Sequence, residues 1–212
     1  MSTAIGKHDA APELFAFNPE NLERAKAIMT KYPPGRQASA VLGLLDLAQR
    51  QNANWLPRAA MDYVAGLLDM APIRIYEVAT FYSMFNLEPV GKWFLQICTT
   101  TPCWLRGSDE VVRACERKLE ISMGETTPDG RFTMKEVECL GACVNAPVIQ
   151  VNDDFYEDLD GARTETLLEA LKAGNPPPAG TLARRQTSCP IGGPTTLRGG
   201  AETGAPKSAG DE

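Results

Sequence analysis

Apolar positions recur at helical spacing through the first third of the chain and change to strand-like runs after Pro89. Asn18 followed by Pro19 predicts a helix start, with an N-cap and a proline at the first helical position. Leu22, Ala25, Ile28 and Met29 then share one face, and Tyr32-Pro33-Pro34-Gly35 ends the run. A second helix is predicted over 37–51, carrying Val41, Leu42, Leu44, Leu45 and Ala48. Asn54-Trp55-Leu56-Pro57 restarts the chain into a third, with Val64, Leu67 and Leu68 inward. Pro72 opens a shorter fourth through Ile73, Tyr76 and Ala79. Four helices on short links predict a bundle over 18–88, after a mobile lead-in at 1–17. Its faces make an internal core by default, and Trp55, Tyr82 and Phe85 are candidates for a docking surface.

Past Pro89 the periods shorten. Lys92–Cys98 (KWFLQIC) reads as a buried strand, and Ser108–Leu119 as a helix with Val111, Val112, Cys115 and Leu119 at helical spacing. Phe132–Glu138 reads as a second strand. Val148–Val151 and Phe155–Leu159 read as a hairpin on Asn152-Asp153-Asp154. Thr164–Ala173 is a closing helix on Leu167, Leu168 and Leu171, stopped by Gly174. The order β-α-β-β-α over 89–175 suits a small mixed sheet with one crossover and one hairpin, the thioredoxin-like arrangement. The fold class is therefore α+β. Six of the 16 prolines and seven of the 18 glycines lie in 176–212, a segment too poor in apolar surface to offset its ordering entropy. It is expected to be a disordered tail, or an arm laid on a partner.

Composition narrows the function classes. No apolar run approaches the ~18–20 residues that cross a bilayer, so direct membrane insertion is not expected. The first residues carry neither an apolar signal core nor an Arg-rich pattern, which predicts a bacterial cytoplasmic location. A net charge of −6 argues against nucleic acid as a partner. The single histidine, His8, rules out Cys2His2 zinc and Rieske sites and makes histidine-based catalysis improbable, so no catalytic residue is assigned. No G-x-G-x-x-G run follows a strand, so the chain is not expected to bind NADH or FMN alone.

The chemistry lies in the cysteines. Cys98 and Cys103 form C-x4-C, Cys139 and Cys143 form C-x3-C, and each pair follows a predicted strand. The crossover between them is long enough to set the two strand ends side by side. The spacing favours a binuclear iron–sulfur cluster. Zinc prefers C-x2-C knuckles, and a thioredoxin-type redox disulfide needs C-x2-C. A zinc-stabilised binding module without redox role, structural disulfides and four separate core thiols remain as alternatives. Gly141 allows close backbone approach, and Trp104, Leu105, Val144 and Pro147 are expected to screen the site from water. Arg106 and Lys135 are the basic residues nearest in sequence and read as solvated surface. Cys115 reads as a small core residue and Cys189 as a free thiol without a role.

The runs Cys98-Thr99-Thr100-Thr101-Pro102-Cys103 and Glu138-Cys139-Leu140-Gly141-Ala142-Cys143-Val144-Asn145-Ala146-Pro147 carry a resemblance. So do 76–85 (YEVATFYSMF) and 152–159 (NDDFYEDL). Over residues 18–175 the chain resembles the small 2Fe–2S subunit of the NADH-dehydrogenase module of respiratory complex I. The resemblance implies a helical bundle followed by a thioredoxin-like ferredoxin domain. It implies one 2Fe–2S cluster on Cys98, Cys103, Cys139 and Cys143, exchanging an electron with FMN on a partner. That partner is a larger subunit binding FMN, NADH and a 4Fe–4S cluster, alongside other peripheral-arm subunits on the cytoplasmic side of the inner membrane. Similar subunits serve NAD-reducing hydrogenases and NAD-dependent formate dehydrogenases, which stand as alternatives.

Overall fold

The computed structural model describes residues 14–183, 185–190 and 192–193. The chain divides into two compact units. One takes the chain up to Lys92 together with Pro128–Thr133; the other takes Trp93–Thr127 and the chain from Met134 onward.

In the first unit, α1 (Pro19–Met29) starts as its sequence dictates. Asn18 Oδ1 accepts the Asn21 N–H at 2.8 Å, and Pro19 needs no partner for an amide it lacks. The predicted second helix divides into a 3-10 turn, Gln37–Ala40, and α2 (Val41–Gln51). Next come α3 (Arg58–Leu68) and α4 (Pro72–Phe81). Leu44, Leu45, Leu56, Ala60, Val64 and Ile75 fill the core. Burying each large aliphatic side chain contributes roughly 1.5–3 kcal/mol.

Three expectations change here. Residues 15–17 are not a loose lead-in: Phe17 is buried, and its ring meets Tyr63 edge-on at 5.4 Å. The inward face of α4 is Ile75 and Ala79, while Ile73 is 58% exposed. Tyr76 turns outward to accept from Arg58 and donate to Asp62, which rotates the apolar stripe by one position. Phe85 is core, not docking surface. Gln49 holds its segment from α2, donating to the Met84 carbonyl at 3.1 Å and accepting from the Asn86 N–H at 2.7 Å. Trp55 is half-buried, and Tyr82 is exposed.

The second unit is built on a five-stranded sheet ordered β2-β1-β3-β4-β5. The strand β1 (Trp93–Cys98) buries Phe94, Leu95, Ile97 and Cys98, so both its faces are covered, as an apolar run interrupted only by Gln96 predicts. Short helix α5 (Thr101–Leu105) and then α6 (Ser108–Leu119) follow, before β2 (Phe132–Val137). The hairpin is β3 (Ile149–Val151) with β4 (Asp154–Glu157). β3 runs antiparallel to β1, with Leu95 opposite Val151 and Ile97 opposite Ile149. Asn152 supplies the left-handed turn at φ 55°, and its side chain accepts from Phe94 N–H at 3.0 Å. Helix α7 (Gly161–Ala173) starts three residues earlier than expected, because Asp160 caps it by accepting the Arg163 N–H at 2.7 Å. It packs Leu167, Leu168 and Leu171 into the core and ends at left-handed Gly174.

The first part of the expected tail, 176–183, is ordered instead. The segment after α7 lies along the sheet: β5 (Gly180–Thr181) pairs parallel with β4, Tyr156 opposite Gly180 and Glu157 opposite Thr181. Tyr156 donates its hydroxyl to the Pro177 carbonyl at 3.1 Å. Composition counts apolar burial alone, whereas β4 offers an open edge whose backbone groups bind a polar segment equally well. The rest of the tail, 194–212, and the lead-in 1–13 lie outside the described residues.

Candidate metal centre

Neighbouring strands deliver the two cysteine pairs. Strand β1 ends on Cys98, and the chain turns through Thr99-Thr100 into α5. Pro102 sits in the first turn of that helix and Cys103 in its buried side. The sequence predicts a loop here, since five residues are too few to show a period. Strand β2 leads to Cys139, two residues past its end. Gly141 then takes φ 82°, a conformation costly for any residue with a Cβ, and swings the chain back so that Cys143 heads a single 3-10 turn, Cys143–Asn145.

The loops converge. Cys98 and Cys103 are each 2% exposed and pack with Ala146 and Val148, flanked by Leu140, Ala142 and Phe155. Cys139 and Cys143 are exposed, and their sulfurs stand 3.4 Å apart. Donors point at the sulfurs. The Thr100 hydroxyl lies 3.2 Å from Cys98 Sγ, and the Gly141 N–H donates to Cys139 Sγ at 3.4 Å. Such donors stabilise thiolates and the sulfurs of a cluster.

Each pair is electrostatically uneven. Burial pushes the Cys98 thiol up, but hydrogen bonds from the Thr100 side chain and from the Leu140 and Thr100 backbones outweigh it and hold Cys98 below the ordinary thiol range. Cys103 is pushed up to about 12 by burial and by its hydrogen bond with Cys98. The Gly141 N–H, then Cys143, lowers Cys139; in return Cys139, with some burial, raises Cys143.

Four thiols in two pairs, with donors aimed at their sulfurs, are a donor set that fits a binuclear iron–sulfur cluster.

The expected screen is only partly present. Pro147 is buried, but Trp104, Leu105 and Val144 are 58%, 70% and 72% exposed, so they border the site without covering it. Arg106 is exposed, and Lys135 stacks over the Phe94 ring at 6.0 Å. A different cation reaches the loop: Arg185 donates to the Val144 carbonyl at 3.2 Å. No sequence signal pointed to it, because it lies in the segment read as tail. Cys115 is fully buried in α6, as expected of a core residue, and Cys189 is half-buried with its carbonyl bound by Arg185.

Comparison with known proteins agrees with the geometry. The family model for thioredoxin-like [2Fe-2S] ferredoxins matches residues 25–172. A subunit of the NADH-quinone oxidoreductase of Rickettsia typhi is 62% identical over 155 residues, spanning 73% of this chain and 91% of the relative. The mitochondrial NADH dehydrogenase [ubiquinone] flavoprotein 2 of Dictyostelium discoideum is 51% identical over 183 residues, spanning 86% and 74%. Among solved structures, an NAD+-reducing [NiFe]-hydrogenase in its air-oxidized state shares the fold over 63% of this chain and 23% of its own, at TM-score 0.56 and 24% identity. With two thiol pairs on neighbouring strand ends, donors aimed at their sulfurs and a family match across both units, the chain belongs to the thioredoxin-like [2Fe–2S] ferredoxin family.

Proposed function

We propose that the chain is the 2Fe–2S electron-transfer subunit of an NADH:quinone oxidoreductase, with Cys98, Cys103, Cys139 and Cys143 as the cluster's ligands. The reading rests on the convergence of the two thiol pairs at the ends of β1 and β2. The relatives named as NADH-quinone oxidoreductase subunits support the host assembly. When bound, the cluster supplies reversible one-electron exchange with FMN held by a partner subunit. That partner also carries NADH and a 4Fe–4S cluster, and the isolated chain catalyses nothing.

The chain's own residues hold and tune. Cys98 and Cys103 anchor one side from a buried, apolar wall, and Cys139 and Cys143 close the other from an exposed loop. Thr100 and the Gly141 N–H donate to sulfur, which favours the reduced, more negative state. Trp104, Leu105 and Val144 form an apolar rim through which the partner approaches. The bundle at 18–88 docks, and 89–175 carries the cluster. Among the described residues no helix is long and apolar enough to cross a membrane. By the resemblance, partner subunits hold the chain on the cytoplasmic side of a bacterial inner membrane.

The test is the full-length chain co-expressed with its candidate flavin subunit. Visible absorbance, a reduced-state EPR signal of one binuclear cluster and co-purification of FMN are expected. Serine at any one of the four cysteines should abolish or alter the EPR signal. A colourless complex holding one zinc per chain sinks the reading.

A further inference from the structure

Arg185 plays no part in the function above, yet its side chain is 9% exposed and each of its nitrogens donates. Nε donates to Asp158 Oδ2 at 2.8 Å, and one terminal nitrogen to Asp158 Oδ1 at 2.6 Å, a two-point fork on one carboxylate. The second proton of that nitrogen is shared between Asn145 Oδ1 at 2.6 Å and the Val144 carbonyl at 3.2 Å. The other donates to the Cys189 carbonyl at 3.2 Å, tying down its own segment.

Val144 and Asn145 directly follow Cys143. Asn145 is gripped on every side. Its amide nitrogen donates to Glu157 and, at 3.3 Å, to the Thr187 carbonyl, while its own carbonyl accepts the Asp158 N–H at 2.7 Å. Asp158 sits at φ 56°, a left-handed conformation that an aspartate keeps only when its surroundings hold it, and it also accepts from the Thr181 hydroxyl. Arg185 therefore connects three things: the carboxylate after β4, the turn carrying Cys143, and the segment that adds β5.

We propose that Arg185 is a positioning residue for the cluster. This rests on the ligand assignment proposed above. Cys139 and Cys143 are exposed and stand on a loop turned by a glycine, so apolar burial does little to hold them. Arg185 supplies the missing rigidity by pinning the two residues after Cys143 to a carboxylate that is itself only 9% exposed. Removing the guanidinium frees the turn and strands the Asp158 charge. Lysine cannot replace it, because a single ammonium cannot meet a carboxylate fork, an amide oxygen and a carbonyl together. Paired with Asp158, the guanidinium adds no net charge, but its removal leaves the carboxylate uncompensated, and that added negative charge disfavours reduction of the cluster.

The test uses the full-length chain in its assembled complex, as wild type, Arg185→Ala and Arg185→Lys. Three quantities are followed: loss of visible absorbance under an iron chelator, midpoint potential by EPR-monitored titration, and fold by circular dichroism. Arg185→Ala is expected to lose its cluster ~10–100-fold faster, as for other residues that orient ligands, with a lower potential and an altered reduced-state EPR line shape. Arg185→Lys should restore the potential toward wild type but leave cluster loss fast. A role in general stability alone would lower the melting temperature and leave the EPR signal and potential of the folded protein unchanged, which overturns the proposal. So does a folded Arg185→Ala whose cluster lifetime lies within about twofold of wild type. If Arg185→Ala does not fold, Arg185→Lys decides, and a wild-type lifetime there overturns the proposal. A wild-type complex without a binuclear EPR signal instead refutes the proposed function, and this inference falls with it.

Discussion

Adding one methyl group at Gly91 should damage this fold far more than adding one at Gly66. An ideal Cβ on Gly91 lies 2.8 Å from Arg131 C, 2.8 Å from Phe132 N and 2.9 Å from Phe132 C. These are backbone atoms, so no side-chain rotation relieves them. The contacts fall about 0.6–1.2 Å inside the ~3.5–4.0 Å optimum for carbon pairs. The start of β2 must move, and overpacking of this kind costs typically 1–3 kcal/mol. The move also breaks the buried hydrogen bond from the Gly91 N–H to Thr133 Oγ1, 2.7 Å in length. Leaving that donor unsatisfied costs about 1–3 kcal/mol more. The sum is about 2–6 kcal/mol, and with a urea m-value of ~2 kcal/mol/M the midpoint should fall by roughly 1–3 M. Gly66 is the internal control. It lies exposed within α3, and its Cβ would meet nothing within 4 Å. Alanine there should gain up to about 1 kcal/mol through helix propensity, raising the midpoint by ~0.5 M. Both are read by urea unfolding of the full-length chain, followed by circular dichroism and by cluster absorbance. A Gly91→Ala midpoint at or above wild type refutes the steric account.

Three further outcomes are expected. Thr100→Val keeps the side-chain shape but removes the hydroxyl 3.2 Å from Cys98 Sγ, so the cluster potential should fall; an unchanged potential in EPR titration would count against that hydrogen bond. Cys115, pushed up to about 12 by burial against an ordinary 9.0, should carry roughly a thousandfold less thiolate at pH 8. Mass spectrometry after brief alkylation should then find Cys189 modified and Cys115 untouched until the protein unfolds. Asp160→Ala removes the cap that accepts the Arg163 N–H at 2.7 Å and should cost ~1 kcal/mol in urea unfolding, with Asp160→Asn close to wild type.

Much of this protein is encoded within short stretches of neighbouring residues. Asn18-Pro19 starts α1 because the capping side chain reaches an amide three residues on. The run from Trp93 to Cys98 becomes a central strand because it is apolar on both faces, and Asn152 makes the hairpin turn because it tolerates positive φ. The two cysteine-bearing runs were enough for the family, which the match over 25–172 bears out. Long-range packing fixed the rest: which thiol pair is buried, that Phe85 fills the bundle core while Ile73 faces water, and that the segment after α7 adds a strand. It alone brought Arg185 to the turn behind Cys143. Such features rest on hydrogen bonds and burial between residues far apart in the chain. An open strand edge or a buried carboxylate leaves no periodic trace in the segment that will meet it, so a Pro- and Gly-rich stretch reads as tail until its partner surface is in place.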